Sequence, residues 1–251
     1  MPAYAGSFTP ERLRRSFGEH VRETIAETLW PTRCAVCDAL GDVLCPDCRE
    51  KLNYVDSVRA CPVCGAPHGV VQCTECNPVM LSASDHDAFP FDAMVSATVL
   101  DDAAHRLVVT YKDGGETRLA NTLGRLMAAY VPPAWLQDRP TVTFIPSTKA
   151  ARARRGFDHG ALTSAVVAET LGLRHEMLFA PPRNRDQRAL SRRERAANME
   201  HRIQVLPHAK VPRACLVVDD VCTTGATLYG AADALRAAGA ETLYALTFAR
   251  A

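Results

Sequence analysis

Eight of the ten cysteines stand in four Cys-x-x-Cys pairs: Cys34/Cys37, Cys45/Cys48, Cys61/Cys64 and Cys73/Cys76. No other feature restricts so closely what this stretch of chain can fold into. A two-residue gap lets both thiolates of a pair face one tetrahedral Zn2+ at about 2.3 Å, and two such pairs close a four-thiolate site. The gaps between successive pairs are 7, 12 and 8 residues. Sequential pairing is simplest, giving Cys34, Cys37, Cys45 and Cys48 to one ion and Cys61, Cys64, Cys73 and Cys76 to a second. A nested arrangement stays open, because four pairs can be combined in three ways. Disulfides are the alternative use of paired cysteines, and a chain read as cytosolic disfavours them. Residues 31–80 carry several Pro and Gly and few long apolar runs, so without metal they could hardly fold. A closed four-thiolate site offers no open coordination position and is expected to hold structure rather than perform chemistry.

The remaining chain divides around this module. Residues 1–30 contain an amphipathic pattern, with Leu13, Phe17, Val21, Ile25 and Leu29 at i+4 steps up to Pro31, which predicts a helix over 10–29. From residue 81 to 251 the composition is that of a mixed α/β domain. Ser96–Leu100, Thr141–Ile145, Cys215–Asp219 and Thr242–Phe248 read as short apolar strands. Helical patterns over Leu119–Tyr130, Ala161–Leu171 and Ala226–Ala238 separate them, which predicts crossover units and a buried parallel sheet flanked by helices. No run approaches the roughly 18 apolar residues of a membrane span. Charges recur through Arg12–Glu27, so no secretory signal is expected either. The expected location is cytoplasmic, with no membrane insertion.

The segment from Val217 to Leu228 carries the chemistry. An apolar strand ends in Asp219 and Asp220, a short turn of Thr223, Thr224 and Gly225 follows, and a helix begins. Backbone N–H groups at a helix start, with the helix dipole behind them, suit a phosphate group. Gly225 permits close approach, and the Thr223, Thr224 and Thr227 hydroxyls can donate further hydrogen bonds. Two carboxylates beside that pocket would repel a bare phosphate. They make sense if the ligand also carries vicinal hydroxyls or a metal ion. A ribose 5-phosphate unit meets both demands, with its phosphate in the turn and its hydroxyls on Asp219 and Asp220. The plain alternative is a strand-turn-helix with ordinary capping threonines. The Gly-Lys-Ser/Thr element of a Walker A loop is absent.

These residues resemble the 5-phosphoribosyl-1-pyrophosphate (PRPP) signature of type I phosphoribosyltransferases. With the four cysteine pairs, the resemblance narrows to the ComF family of double-zinc-ribbon, phosphoribosyltransferase-like proteins. Leu29-Trp30-Pro31 before Cys34, Tyr111-Lys112-Asp113-Gly114, Pro146 with Arg152, Arg155, Gly156 and Phe157, and Arg183, Gln187, Leu190, Arg195 and Asn198 resemble further elements of that family. The resemblance implies a type I phosphoribosyltransferase-like fold that binds PRPP with Mg2+. It places PRPP contacts on Val221, Cys222, Thr223, Thr224, Gly225, Ala226 and Thr227, with Asp219 and Asp220 as the catalytic acids. Lys112, Arg152, Arg155, Arg183 and Gln187 would serve the pyrophosphate and the flexible loop. One departure stands out: where the family has Asn-Gln after Arg-Gly-Phe, this chain has Asp158 and His159.

Overall charge is near neutral at +1, but Ala151 to Arg202 holds eleven arginines against six acids. Such a segment suits a local anionic partner or, more plainly, a solvated helix. The family resemblance implies a role in natural transformation, with single-stranded DNA and the DNA-uptake machinery as partners. Aromatic residues make up only 6% and offer little base-stacking surface. The alternative is a metabolic phosphoribosyltransferase of nucleotide salvage that transfers the phosphoribosyl group to a nitrogenous acceptor. Cys215 and Cys222, outside the pairs, read as packing residues. None of the histidines shows ligand spacing, and only His159 merits a test.

Overall fold

The computed structural model describes residues 31–182 and 203–251. The helix expected over 10–29, and Arg183, Gln187, Leu190, Arg195 and Asn198, lie outside the described residues.

Two short helices, α1 (Pro46–Glu50) and α2 (Pro78–Ser82), belong to the cysteine-rich segment. The sheet follows as β1 (Ala93–Val99), β2 (Thr141–Phe144), β3 (Ala214–Cys222) and β4 (Thr242–Arg250). It is entirely parallel, in the order β1-β4-β3-β2. The expected parallel sheet is therefore present, and its central strands β3 and β4 are nearly continuous runs of buried apolar residues, as burial on both faces requires.

Helices α3 (Asp102–Lys112), α4 (Leu119–Ala128) and α6 (His159–Leu171) lie on one side of the sheet, and α7 (Ala226–Ala237) on the other. The short α5 (Lys149–Arg155) follows β2. Helix α3 is an addition to the periodic reading. Its buried residues Ala104, Leu107, Val108 and Tyr111 fall at i, i+3, i+4 and i+7, and the Asp101 carboxylate caps its start by accepting from the Ala104 N–H at 2.9 Å. Full burial of a Leu such as Leu107 contributes about 2 kcal/mol.

The strand boundaries differ from expectation, β2 only by ending at Phe144. β1 starts at Ala93 and stops before Leu100, where the chain turns into the Asp101 cap. β4 runs on to Arg250, and because it does, β3 stays paired past the acids, Val221 with Ala249 and Cys222 with Arg250. Asp219, Asp220, Val221 and Cys222 are therefore strand residues, and only Thr223 to Gly225 remain for the turn.

The cysteine-rich segment covers the outer edge of β1. Met94 N–H donates to Val63 O (2.9 Å), Val55 N–H to Ala97 O (3.0 Å) and Val99 N–H to Asn53 O (2.8 Å). Cys34, Leu44 and Leu52 share one core with Leu107, Tyr111 and Leu119. Arg106 Nη1 also donates to Val36 O at 3.0 Å, and Arg118 Nη1 to Thr32 Oγ1 at 2.6 Å.

Candidate functional site

The eight paired cysteines separate into the two sequential sets, Cys34/Cys37/Cys45/Cys48 and Cys61/Cys64/Cys73/Cys76, each with its sulfurs within 4.8 Å of one another. Sγ–Sγ distances of 3.7 Å for Cys37–Cys45, 3.7 Å for Cys61–Cys76 and 3.5 Å for Cys64–Cys73 are far too long for disulfides. They approach the edge of about 3.8 Å that a tetrahedron with metal–sulfur bonds of about 2.3 Å demands. The donor sets fit two structural zinc ions, and the nested arrangements are excluded.

The second site is assembled where β3 leaves the sheet. Up to the acids its side chains alternate: Leu216 and Val218 pack against the α3, α4 and α6 side, Cys215 and Val217 against the α7 side. Beyond them the order inverts, with Val221 on the first side and Cys222 on the second. The alternation slips at the acid pair. Asp219 Oδ1 accepts the N–H of Asp220 at 2.8 Å, tying the two residues together at that point.

Asp220 is the focus of two basic side chains. Lys112 Nζ, at the end of α3, meets its Oδ2, and His159 Nε2, at the start of α6, stands 3.1 Å from the same oxygen. Burial alone would raise the Asp220 pKa, but the His159 contact and the Lys112 charge outweigh it and bring the carboxyl down to about 2. Asp219 moves the other way: burial first, then the neighbouring Asp220 charge, push it up to about 7. The pair therefore carries one firm negative charge and one carboxyl that titrates near neutrality.

His159 is anchored from several directions. Its Nδ1 lies 3.1 Å from Ser147 Oγ, on the loop after β2, and 3.5 Å from Arg155 Nη1. Its carbonyl accepts from the buried Tyr111 hydroxyl at 2.7 Å, which in turn accepts from Thr163 Oγ1 at 2.9 Å. Asp158 caps α6 through the Ala161 N–H (3.3 Å) and holds the loop through the Ser147 N–H (2.9 Å). The two residues that depart from the family pattern thus build this corner. Only that departure singles out His159 in the sequence. Ser147 and Tyr111 carry no local sign of these contacts, because their partners sit 11 to 52 positions away.

The turn itself is open. Thr223, Thr224 and Thr227 are exposed, while Gly225 is buried at φ +76° as the N-cap of α7. Among the described residues no side chain caps that helix start. A Cβ on Gly225 would sit 2.7 Å from the Tyr229 ring, so glycine is required there twice over, by conformation and by space. Arg155 is mostly buried, and its guanidinium is held by Asp113 Oδ1 at 3.0 and 3.2 Å. Arg152 is exposed, and no ion pair to it occurs among the described residues. Cys215 and Cys222 are buried, and burial raises both thiols, Cys215 to about 12.

Comparison with known proteins agrees with the first of these sites. Residues 25–80 match the double zinc ribbon domain family. No curated protein is significantly similar to the chain. Among solved structures, the orotate phosphoribosyltransferase from Aeropyrum pernix is similar, at 18% identity and a TM-score of 0.32, over 62% of this chain and 80% of that one. Among the described residues, no helix is long and apolar enough to cross a membrane.

Proposed function

We propose that the chain binds PRPP with Mg2+ at the β3–α7 turn, as a phosphoribosyltransferase-like protein of the ComF family that supports the handling of incoming single-stranded DNA. The observation that carries the binding half is the start of α7. Among the described residues its first amides have no side-chain cap, three exposed threonines surround them, Gly225 is obligatory, and two acids precede the turn. Helix-start amides take the 5-phosphate, and the carboxylates of Asp219 and Asp220 accept from ribose hydroxyls. Those carboxylates are also the hard oxygen donors a Mg2+ ion prefers, and the ion would draw off charge from a departing pyrophosphate. Lys112, already beside Asp220, is the nearby cation that a pyrophosphate could recruit, and the His159 ring next to it could add a hydrogen bond. Arg152 supplies a further exposed guanidinium on α5.

Support for the DNA half comes from charge. Arg152 and Arg154 are exposed on α5, within the arginine-rich stretch. Isothermal titration of PRPP in the presence of Mg2+ tests the binding half. Saturable heat is expected, with affinity weakened roughly tenfold or more in Asp219→Asn and Asp220→Asn, as when a charged hydrogen-bond acceptor is lost. No heat from the wild-type chain would remove the PRPP reading. Single-stranded DNA should bind with an affinity that falls steeply with salt and is unchanged by those two variants. Pyrophosphate release on adding a free nucleobase would instead favour the salvage enzyme.

A further inference from the structure

Arg250, at the end of β4, is 2% exposed. A guanidinium stays charged at any physiological pH, and burying one without an anion is strongly unfavourable. Yet no carboxylate forms an ion pair with it among the described residues, and its Nε has no hydrogen-bond partner. What it does touch is specific. Nη1 donates to the carbonyl oxygen of Cys64 at 2.9 Å, and lies 3.6 Å from Met94 Sδ and 3.7 Å from Cys222 Sγ. Cys64 is a member of the second four-cysteine set, and Cys222 is the last residue of β3 before the open turn.

That cysteine set can supply the anion. Four thiolates around one Zn2+ leave a net negative charge of two. The Cys61/Cys64/Cys73/Cys76 cluster packs into a small apolar core with Ala66 and Phe89, where screening by water is weak. A doubly negative centre beside a buried guanidinium resolves two desolvation penalties together. We propose that Arg250 is the counter-charge of the second metal centre, and that through Cys222 it ties this centre to the strand end from which the β3–α7 turn departs. Beside the first set, arginines of another kind occur: Arg33 pairs with Asp38 at the surface, and Arg106 and Arg118 reach in from the surface and hold Val36 and Thr32. The second ribbon is therefore a support of the functional loop, and the first a cover for the α3–α4 layer. The metal half of this inference is independent of the PRPP reading.

The test uses the full chain with Arg250→Met, which keeps most of the volume and loses the charge, and Arg250→Lys, which keeps the charge. Zinc per chain is measured by mass spectrometry of the metal, and release by a colorimetric chelator. The wild type and Arg250→Lys should retain two zinc ions, whereas Arg250→Met should release one of its two roughly tenfold faster or more, as loss of a charge contact implies. Alkylation mapped by peptide mass spectrometry should show Cys222 labelled faster, by a similar factor, in Arg250→Met alone. Wild-type zinc retention in Arg250→Met overturns the proposal, and so does equal zinc loss in both variants, since that would make shape and not charge the cause. If Arg250→Met is insoluble, Arg250→Gln takes its place as the variant that loses the charge. Faster release of one zinc from Arg250→Gln than from Arg250→Lys supports the electrostatic contact, and equal release from the two sinks it.

Discussion

At the scale of single residues, the acid pair shows how one strand end can hold two carboxyls in opposite states. Asp219 is raised from its ordinary 3.8 to about 7 by burial and by Asp220. An acid whose native pKa is raised favours the folded state while protonated. Its contribution is full below pH 3.8 and fades as the pH climbs to about 7, above which the native pair must carry both charges. Asp219→Asn should therefore be more stable than wild type at about pH 8, by on the order of 2 kcal/mol, and lose that advantage at about pH 4. Paired melts at the two pH values check it, and a gain that is equal at both would refute the assignment. Asp220 behaves in the opposite sense. It is lowered from 3.8 to about 2, so its stabilising contacts are present above pH 3.8 and lost as the pH falls through 2. Lys112 and His159 serve the same Oδ2 atom, and either side chain alone can still partner it. Lys112→Met and His159→Ala should each cost about 1 kcal/mol, but the double variant should cost more than their sum, because it leaves a buried carboxylate unpaired. Urea denaturation of the four proteins of that cycle gives the coupling directly; strict additivity would mean that the two side chains do not share the carboxylate.

At the scale of elements, the turn between β3 and α7 depends on a single position. Gly225→Ala must place a side chain at φ +76° and push the Tyr229 ring away from a 2.7 Å contact. Backbone strain alone costs about 1 to 2 kcal/mol, and the ring shift adds to it. The variant should melt several degrees lower and lose sugar-phosphate binding together; a variant that binds normally would show that the turn tolerates a different path. The cysteine sets predict a cleaner result. Cys37→Ser should leave one zinc per chain, held by the second set, and elemental analysis reads it. Both elements were legible in the sequence, since Cys-x-x-Cys spacing and a strand-acid-turn-helix run are local patterns. So was the parallel sheet, through its apolar runs. Less visible were features set by distant partners. Whether β3 stops at Asp219 or Cys222 depends on how far β4 extends, and nothing in residues 219–222 encodes that. The Ser147–His159–Asp220 contact joins three segments that meet only after the sheet forms. Arg250 reads as a flanking charge after an apolar strand, and only burial reveals it as a core residue. Helix α3 could have been read from Ala104, Leu107, Val108 and Tyr111, whose spacing is helical; its valines and threonine draw such a stretch toward a strand reading.

At the scale of the whole molecule, the metal sites and the sheet depend on each other. β1 is the edge strand of the sheet, and its outer hydrogen-bonding groups are met by Asn53, Val55 and Val63 of the cysteine-rich segment. That segment has little apolar material of its own, so metal binding, worth about 10 kcal/mol in small zinc modules, is comparable to the entire stability of a domain. Stripping both ions should therefore release the segment as a unit, withdrawing Cys34, Leu44 and Leu52 from the core they share with Leu107 and Leu119. The bared β1, with Val95, Ala97 and Val99 along it, is then an unpaired edge beside an opened apolar face, which is the usual template for self-association. Prolonged treatment with a strong zinc chelator should lower the melting temperature by more than about 10 °C, as expected when a contribution of several kcal/mol is lost from a domain this size. Light scattering should show growth in particle size at the same chelator concentration, and prompt addition of zinc should halt it. A chelated chain that stays monodisperse and melts as before would mean that the ribbon closes over β1 without metal, and that the sheet edge is protected by packing alone.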